Sequence, residues 1–200
     1  MPDVFFTQAF FNANKYIMKN LTGKLLLATP ELLTDHIFSQ AVILITEHNE
    51  KGSMGFILNK PTPFILSDFF PDMPVGFQLW NGGPVDEEML FYMHNQPGLL
   101  PGSICFDKEK PICLGGDFSL VKELLQDKEL NRSNIKFFMG YSGWGPGQLE
   151  EEIQEKAWYV TENDLDIFQV NPKNLWKEKL IALNPDNIVW KNSPINPKLN

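Results

Sequence analysis

The chain has 200 residues, a formal net charge of −8 and one arginine, Arg132. It therefore lacks the clustered cations that a nucleic-acid surface needs to displace phosphate counterions. Hydrophobic residues make up 43% and sixteen residues are Phe, with doublets at Phe5-Phe6, Phe10-Phe11, Phe69-Phe70 and Phe137-Phe138, which excludes a disordered chain except at the ends.

No apolar run approaches the roughly 20 residues that cross a bilayer. The Met-Pro-Asp start has no cationic lead, and Thr7, Gln8, Asn12 and Asn14 interrupt its apolar residues, so it does not read as a signal peptide. The sequence thus predicts a cytoplasmic protein with no membrane contact. At this length one domain over residues 1–200, burying roughly 70% of its unfolded surface, is the expectation.

A helix is possible before residue 21. Lys24–Thr29, closed by Pro30, and the β-branched run Ala41–Thr46 predict central strands. Turn chemistry over Glu47–Ser53 and a further apolar run, Met54–Leu58, predict a hairpin that ends at Asn59-Lys60-Pro61. Ser67–Pro71 reads as a short helical turn or loop, and Gly76–Trp80 and Leu90–His94 as strands.

Cys105 and Cys113 flank the polar turn Asp107–Lys110 in a predicted hairpin. If Phe106 pairs with Ile112, the two cysteines face each other with Cβ atoms about 4.5 to 5.5 Å apart. In a reducing cytosol they read as reduced core cysteines. A redox-responsive pair and a partial metal site stay open.

Phe118–Leu130 has helical spacing of Leu120, Val121, Leu124 and Leu125, with Asp117 placed as its cap. Ile135–Tyr141 predicts a strand that delivers a glycine-rich loop, Gly140–Gly147, to a helix over Gln148–Trp158. Trp158–Val160 reads as a strand, Asn163–Val170 and Pro172–Leu183 as two closing helices, and residues 184–200 as a loosely attached tail. Strands first and helices later favour α+β over a doubly wound fold.

Four stretches occur in order: Gly23-Lys-Leu-Leu-Leu-Ala-Thr-Pro30, Gly52-Ser-Met-Gly-Phe-Ile-Leu-Asn-Lys-Pro61, Gly82-Gly-Pro-Val85 and Gly140-Tyr-Ser-Gly-Trp-Gly-Pro-Gly-Gln-Leu-Glu150. Together they resemble the AlgH/YqgE family of bacterial proteins over about residues 21–183, with 1–20 and 184–200 as extensions. The resemblance implies a mixed, largely antiparallel and partly barrel-like sheet with flanking helices, the helices concentrated in the C-terminal third. It implies no established molecular function. Family members often carry the label of transcriptional regulator, but this sequence has no helix-turn-helix with a basic recognition helix.

The motif residues with the chemistry to meet a ligand are Asn59, Gly82, Gly83, His94, Tyr141, Gly143, Trp144, Gly145 and Gln148. Glycines before a helix start suit an anion. Glu150, Glu151 and Glu152 oppose one here, and the spacing fits neither a Walker loop nor the dinucleotide fingerprint. The competing reading has Tyr141 and Trp144 packing across the sheet while the glycines allow close chain approach. Ser142 is not in a Gly-x-Ser-x-Gly elbow, and His36, His48 and His94 lack metal spacing, so no catalytic residue, metal or cofactor is assigned. Asp86, Glu87 and Glu88, with Glu150 to Glu152, have the chemistry of paired acid–base carboxylates, but read first as helix-start charges on a solvated face. His94 either faces a cleft or is a satisfied structural histidine. The Asn59 amide is expected to point inward and bond the Gly82-Gly83 loop.

The sequence favours a non-catalytic regulatory or binding module acting through a protein partner or a small ligand. An enzyme acting on a nucleotide or other phosphorylated small molecule, and a DNA-binding regulator, are the alternatives.

Overall fold

In the computed structural model, which describes residues 20–106 and 111–192, ten strands join one mixed, mainly antiparallel sheet. The possible N-terminal helix, the Asp107–Lys110 turn and the end of the tail lie outside the described residues. Strands β1 (Leu25–Ala28), β2 (Val42–Asn49) and β3 (Gly52–Ile57) lie side by side, with β10 (Trp158–Thr161) beyond β1. Continuous aliphatic runs in β1 and β2 follow from burial on both faces. Leu25, Leu27, Val42 and Leu44 enter one core cluster, whereas Leu26, Ala28, Ile43 and Ile45 enter another.

β9 (Ile135–Trp144) links the two halves of the sheet. Its C-terminal residues Ser142–Trp144 pair with β3. Its earlier residues pair antiparallel with β6 (Val85–His94) and parallel with β5 (Gln78–Asn81), whose outer neighbour is β4 (Pro61–Ile65). The short hairpin β7 (Ile104–Cys105) and β8 (Cys113–Leu114) ends the sheet. Both halves turn a face toward the same cluster, where Phe56 and Leu58 meet Phe138 and Met93, so the sheet curls around a shared core. The curl stays open, because β10 and β7 form opposite ends of the strand order.

The helices cover the faces of the sheet. α1 (Leu66–Phe69) is one turn, and α2 (Phe118–Gln126) packs Val121, Leu124 and Leu125 on the β6–β9 side. Asp117 caps α2, its Oδ1 accepting from the Ser119 and Leu120 N–H groups at 2.9 and 3.4 Å. α3 (Gln148–Gln154) buries Leu149. α4 (Leu175–Leu183) plugs the shared core with Leu175, Trp176 and Leu180, and the Trp176 indole N–H donates to Ala28 O at 2.7 Å.

Several expectations are corrected. Gly140–Trp144 is strand rather than loop, so only Gly145–Gly147 connects β9 to α3. Asp86–Glu88 lie in β6, exposed, beside a register shift between Val85 and Leu90, and start no helix. Asn163–Val170 is not helical. Asn163 and Asp166 side chains accept from the Leu165 and Phe168 N–H groups, and such turns compete with a helix. Residues 185–192 form a 3-10 segment tied to α4 by Asn187, whose amide donates to Leu180 O at 2.9 Å. The cysteines pair in the expected register but are joined in a disulfide, with Cys105 exposed and Cys113 buried. They are therefore not reduced core residues. No group of His, Cys, Asp and Glu suited to a metal occurs among the described residues.

Candidate functional site

The nine motif residues do not meet in one pocket. Gly82 and Gly83 are packed against β9: a Cβ on Gly82 would lie 2.1 Å from Gly140 O, and one on Gly83 2.3 Å from Tyr141 C. Their role is close approach of two backbones. Gly82 also receives Ser142 Oγ–H on its carbonyl at 3.0 Å, which removes that hydroxyl from any exposed surface.

His94 is fully buried on the opposite half. Its Nδ1 accepts from the Gln96 N–H at 3.3 Å and its Nε2 contacts Gly115 O at 3.2 Å, an arrangement that suits a neutral ring protonated at Nε2. Burial lowers its pKa, against the pull of those two backbone contacts. It is the satisfied structural histidine.

Tyr141 and Trp144 point to opposite faces of β9. Tyr141 stacks edge-on against Phe91, with ring centroids 5.5 Å apart, while Trp144 stacks on Trp158 at 6.1 Å. Glu152 Oε2 accepts from both indoles, at 2.8 Å from Trp144 and 2.7 Å from Trp158. Gln148 receives the Gly145 N–H on Oε1 at 3.0 Å and donates to Glu152 Oε1 at 2.9 Å. Gln148 thus ties the turn before the helix to Glu152. Tyr141, Gly143 and Trp144 still border a shallow groove of about 390 Å³ with Gly52 and Met54. Nearby, His48 Nδ1 lies 2.8 Å from Ser53 Oγ, but its Nε2 is 3.8 Å from Glu150, too long for a hydrogen bond, and both His48 and Ser53 are enclosed.

Asn59 does not bond the Gly82-Gly83 segment. Its Oδ1 accepts from Val42 N–H at 2.9 Å and its Nδ2 donates to Gln40 O at 2.9 Å. It thereby fixes Gln40, whose φ of 56° is left-handed, at the entry to β2. Asn59 also lines a groove of about 620 Å³ formed by the 59–64 segment, Ser39 and Gln40, Asn81 and the 172–176 segment. Pro61, Pro63, Phe64 and Trp176 supply its apolar surface, and Lys60 and Lys173 its charge. Burial lowers the Lys60 pKa while Asp35 opposes the shift, and Lys60 Nζ donates to Ile37 O.

Motif reading missed one buried cation. Lys136, in β9, is 5% exposed, and its Nζ donates to Leu58 O at 2.9 Å and Ile167 O at 3.3 Å. The Trp80 ring centroid lies 3.6 Å from the same nitrogen. Burial pushes its pKa down to about 7, although two carbonyls and an indole face favour the ammonium. Leu58 precedes Asn59, and Trp80 precedes Asn81. Lys136 thus contacts the residues that immediately precede Asn59 and Asn81. Its sequence signal was a lone lysine between Ile135 and Phe137.

An open, curled, mainly antiparallel mixed sheet with flanking helices is an α+β architecture of the AlgH type. The AlgH-like family model matches residues 25–187, and the chain belongs to that family. A UPF0301 protein of Cytophaga hutchinsonii is 37% identical over 181 residues, covering 89% of this chain and 98% of that one. A UPF0301 protein of Bacteroides fragilis is 36% identical, covering 89% and 90%. The solution structure of AlgH from Pseudomonas aeruginosa superposes with a TM-score of 0.68 at 22% identity, covering 88% of this chain and 96% of that one. A crystal structure from Corynebacterium diphtheriae gives 0.66 at 21%, covering 86% and 92%. These two likenesses establish the fold. No helix among the described residues is long and apolar enough to cross a membrane.

Proposed function

We propose that this protein is a non-catalytic binding module whose ligand seat is the groove at Asn59–Phe64 and Pro172–Trp176. The observation that carries this reading is that the Asn59-Lys60-Pro61 motif forms a wall of a 620 Å³ groove offering apolar surface, amides and two amines. Three residues with acid–base or nucleophilic chemistry are committed elsewhere: His94 to Gly115 and Gln96, Ser142 to Gly82, and Glu152 to two indoles and Gln148. The reading places the protein in the cytoplasm, where Cys105–Cys113 acts as a redox-responsive pair rather than a permanent staple.

The test is an amide chemical-shift screen of the full chain against a library of neutral, anionic and cationic fragments. Shifts clustered on residues 59–64 and 172–176 are expected. Shifts only elsewhere, or none, would overturn the reading and leave protein contacts as the function.

A further inference from the structure

Charge at the groove runs against the charge of the whole molecule. The chain carries −8, yet none of the groove's twelve lining residues is Asp or Glu, and two are lysines. The apolar cleft beside Phe70 and Phe118 also lacks carboxylates but carries no amine, whereas two further clefts carry acid. The one beside Ile112 and Phe168 is lined by Asp164 and Asp166, and the one beside Tyr141 by Glu47.

We infer, resting on the reading of this groove as the ligand seat, that it takes an organic anion with an apolar body: a carboxylate or phosphate monoester on an alkyl or aryl frame. The Lys60 ammonium spends one donor on Ile37 O and so keeps two for an anion. Its acidic neighbour, Asp35, is not in the groove wall and is occupied by the Ile37 and Phe38 N–H groups at 2.7 and 2.6 Å. Lys173 is exposed and makes no ion pair among the described residues. Asn81 gives its side-chain oxygen to the Gly83 N–H at 2.9 Å, which leaves its amide nitrogen as a further donor.

The frame is recognised by the apolar wall. Phe64 is 48% exposed at the groove and rests edge-on against Phe69, centroids 5.6 Å apart, so an apolar body seated there covers an aromatic otherwise left in water. Two amines and no guanidinium suit one or two negative charges. A polyphosphate would meet the repulsion of the acidic whole. Because burial disfavours the Lys60 ammonium, a bound anion stabilises it, and binding is expected to take up protons and weaken as pH rises through the lowered Lys60 pKa.

The experiment titrates the full chain with octanoate, octyl phosphate, 1-octanol and octyltrimethylammonium, read by the amide shifts of residues 59–64 and 172–176. Octanoate or octyl phosphate is expected to bind about tenfold tighter than 1-octanol, as hydrogen bonds to a charged partner contribute. Lys60→Gln should remove most of that preference. Lys173→Gln, at an exposed position that does not threaten folding, should lower anion affinity about threefold. If 1-octanol binds as tightly as octanoate, or the trimethylammonium binds tighter, the anion assignment falls while the groove stands as a binding seat. If none of the four moves these amides, both fall.

Discussion

Lys136 holds its amine 3.6 Å from the centroid of the Trp80 ring, with no carboxylate contributing to its lowered pKa. In the unfolded chain this lysine keeps its proton up to about 10.5, whereas in the fold it loses it near 7. Between those values the unfolded state binds more protons, so stability rises with pH and is lost again as pH falls toward 7. The slope from one such group is at most about 1.4 kcal/mol per pH unit. Lys60, also lowered by burial, acts in the same direction. Urea unfolding between pH 6 and about 9.5 should show this rise in the native protein and a shallower one in Lys136→Met. Equal slopes would mean that the amine stays charged in its cage.

Glu152 joins the two sides of the Trp144–Trp158 pair by accepting both indole N–H groups on one oxygen. Glu152→Ala leaves two part-buried donors without a partner, at an expected cost of about 2 to 4 kcal/mol. Glu152→Gln keeps an acceptor oxygen and should cost less. Denaturant midpoints followed by tryptophan fluorescence separate the two variants, and an unchanged midpoint for Glu152→Ala would remove the carboxylate from the packing argument.

Glycine in this chain has two roles, which substitution separates. A Cβ on Gly82 would meet Gly140 O at 2.1 Å and the Phe56 ring at 2.9 Å, whereas at Gly145 the only atom it would meet within 4 Å among the described residues beyond its chain neighbours is Gln148 Oε1 at 3.8 Å. Gly82→Ala should cost about 3 kcal/mol or more, since backbone must move, and Gly145→Ala should stay within about 0.5 kcal/mol. Thermal melts of the two variants test the pair. A severe loss at Gly145 would point to a constraint on the β9–α3 connection other than space.

Asn59→Ala strands the Val42 N–H and the Gln40 carbonyl together. The expected loss is about 1 to 3 kcal/mol, measured by chemical unfolding. Since Asn59 also lines the groove, hydrogen exchange at Val42 is the sharper readout: faster exchange there reports the lost bond directly, and unchanged protection would sink the assignment.

Elements with strong local patterns were legible in the sequence. The β1–β3 runs, the capped α2 and the register of the cysteine hairpin follow from periodicity, a cap and a turn. Gly140–Trp144 misled because glycine density resembles a loop, whereas here the small residues let β9 lie against Gly82 and Gly83 as strand. Leu165, Ile167 and Phe168 have spacing that suits a helix, yet they pack as an irregular segment held by Asx turns. Of the groove, local sequence showed only the strand end Asn59-Lys60-Pro61. The groove walls come from residues 39–40, 59–64, 81 and 172–176, which only tertiary structure brings together.

The disulfide offers the last test. Cys105 and Cys113 are eight positions apart, and closing so short a loop removes little unfolded-state entropy, so the expected contribution is about 2 to 3 kcal/mol. β8 is held independently, by its pairing to β6 and by the Gly115 N–H donating to Tyr92 O at 2.9 Å, whereas among the described residues β7 pairs only with β8. Reduction should therefore loosen Ile104–Phe106 and leave β6 and β8 in place. Hydrogen exchange with and without a reductant that does not absorb, such as a phosphine, checks this: protection should fall at Phe106, whose N–H donates to Ile112 O at 3.1 Å, and persist at Gly115. Loss at both would mean that the bond supports the sheet end as a whole, and loss at neither that the hairpin holds without it.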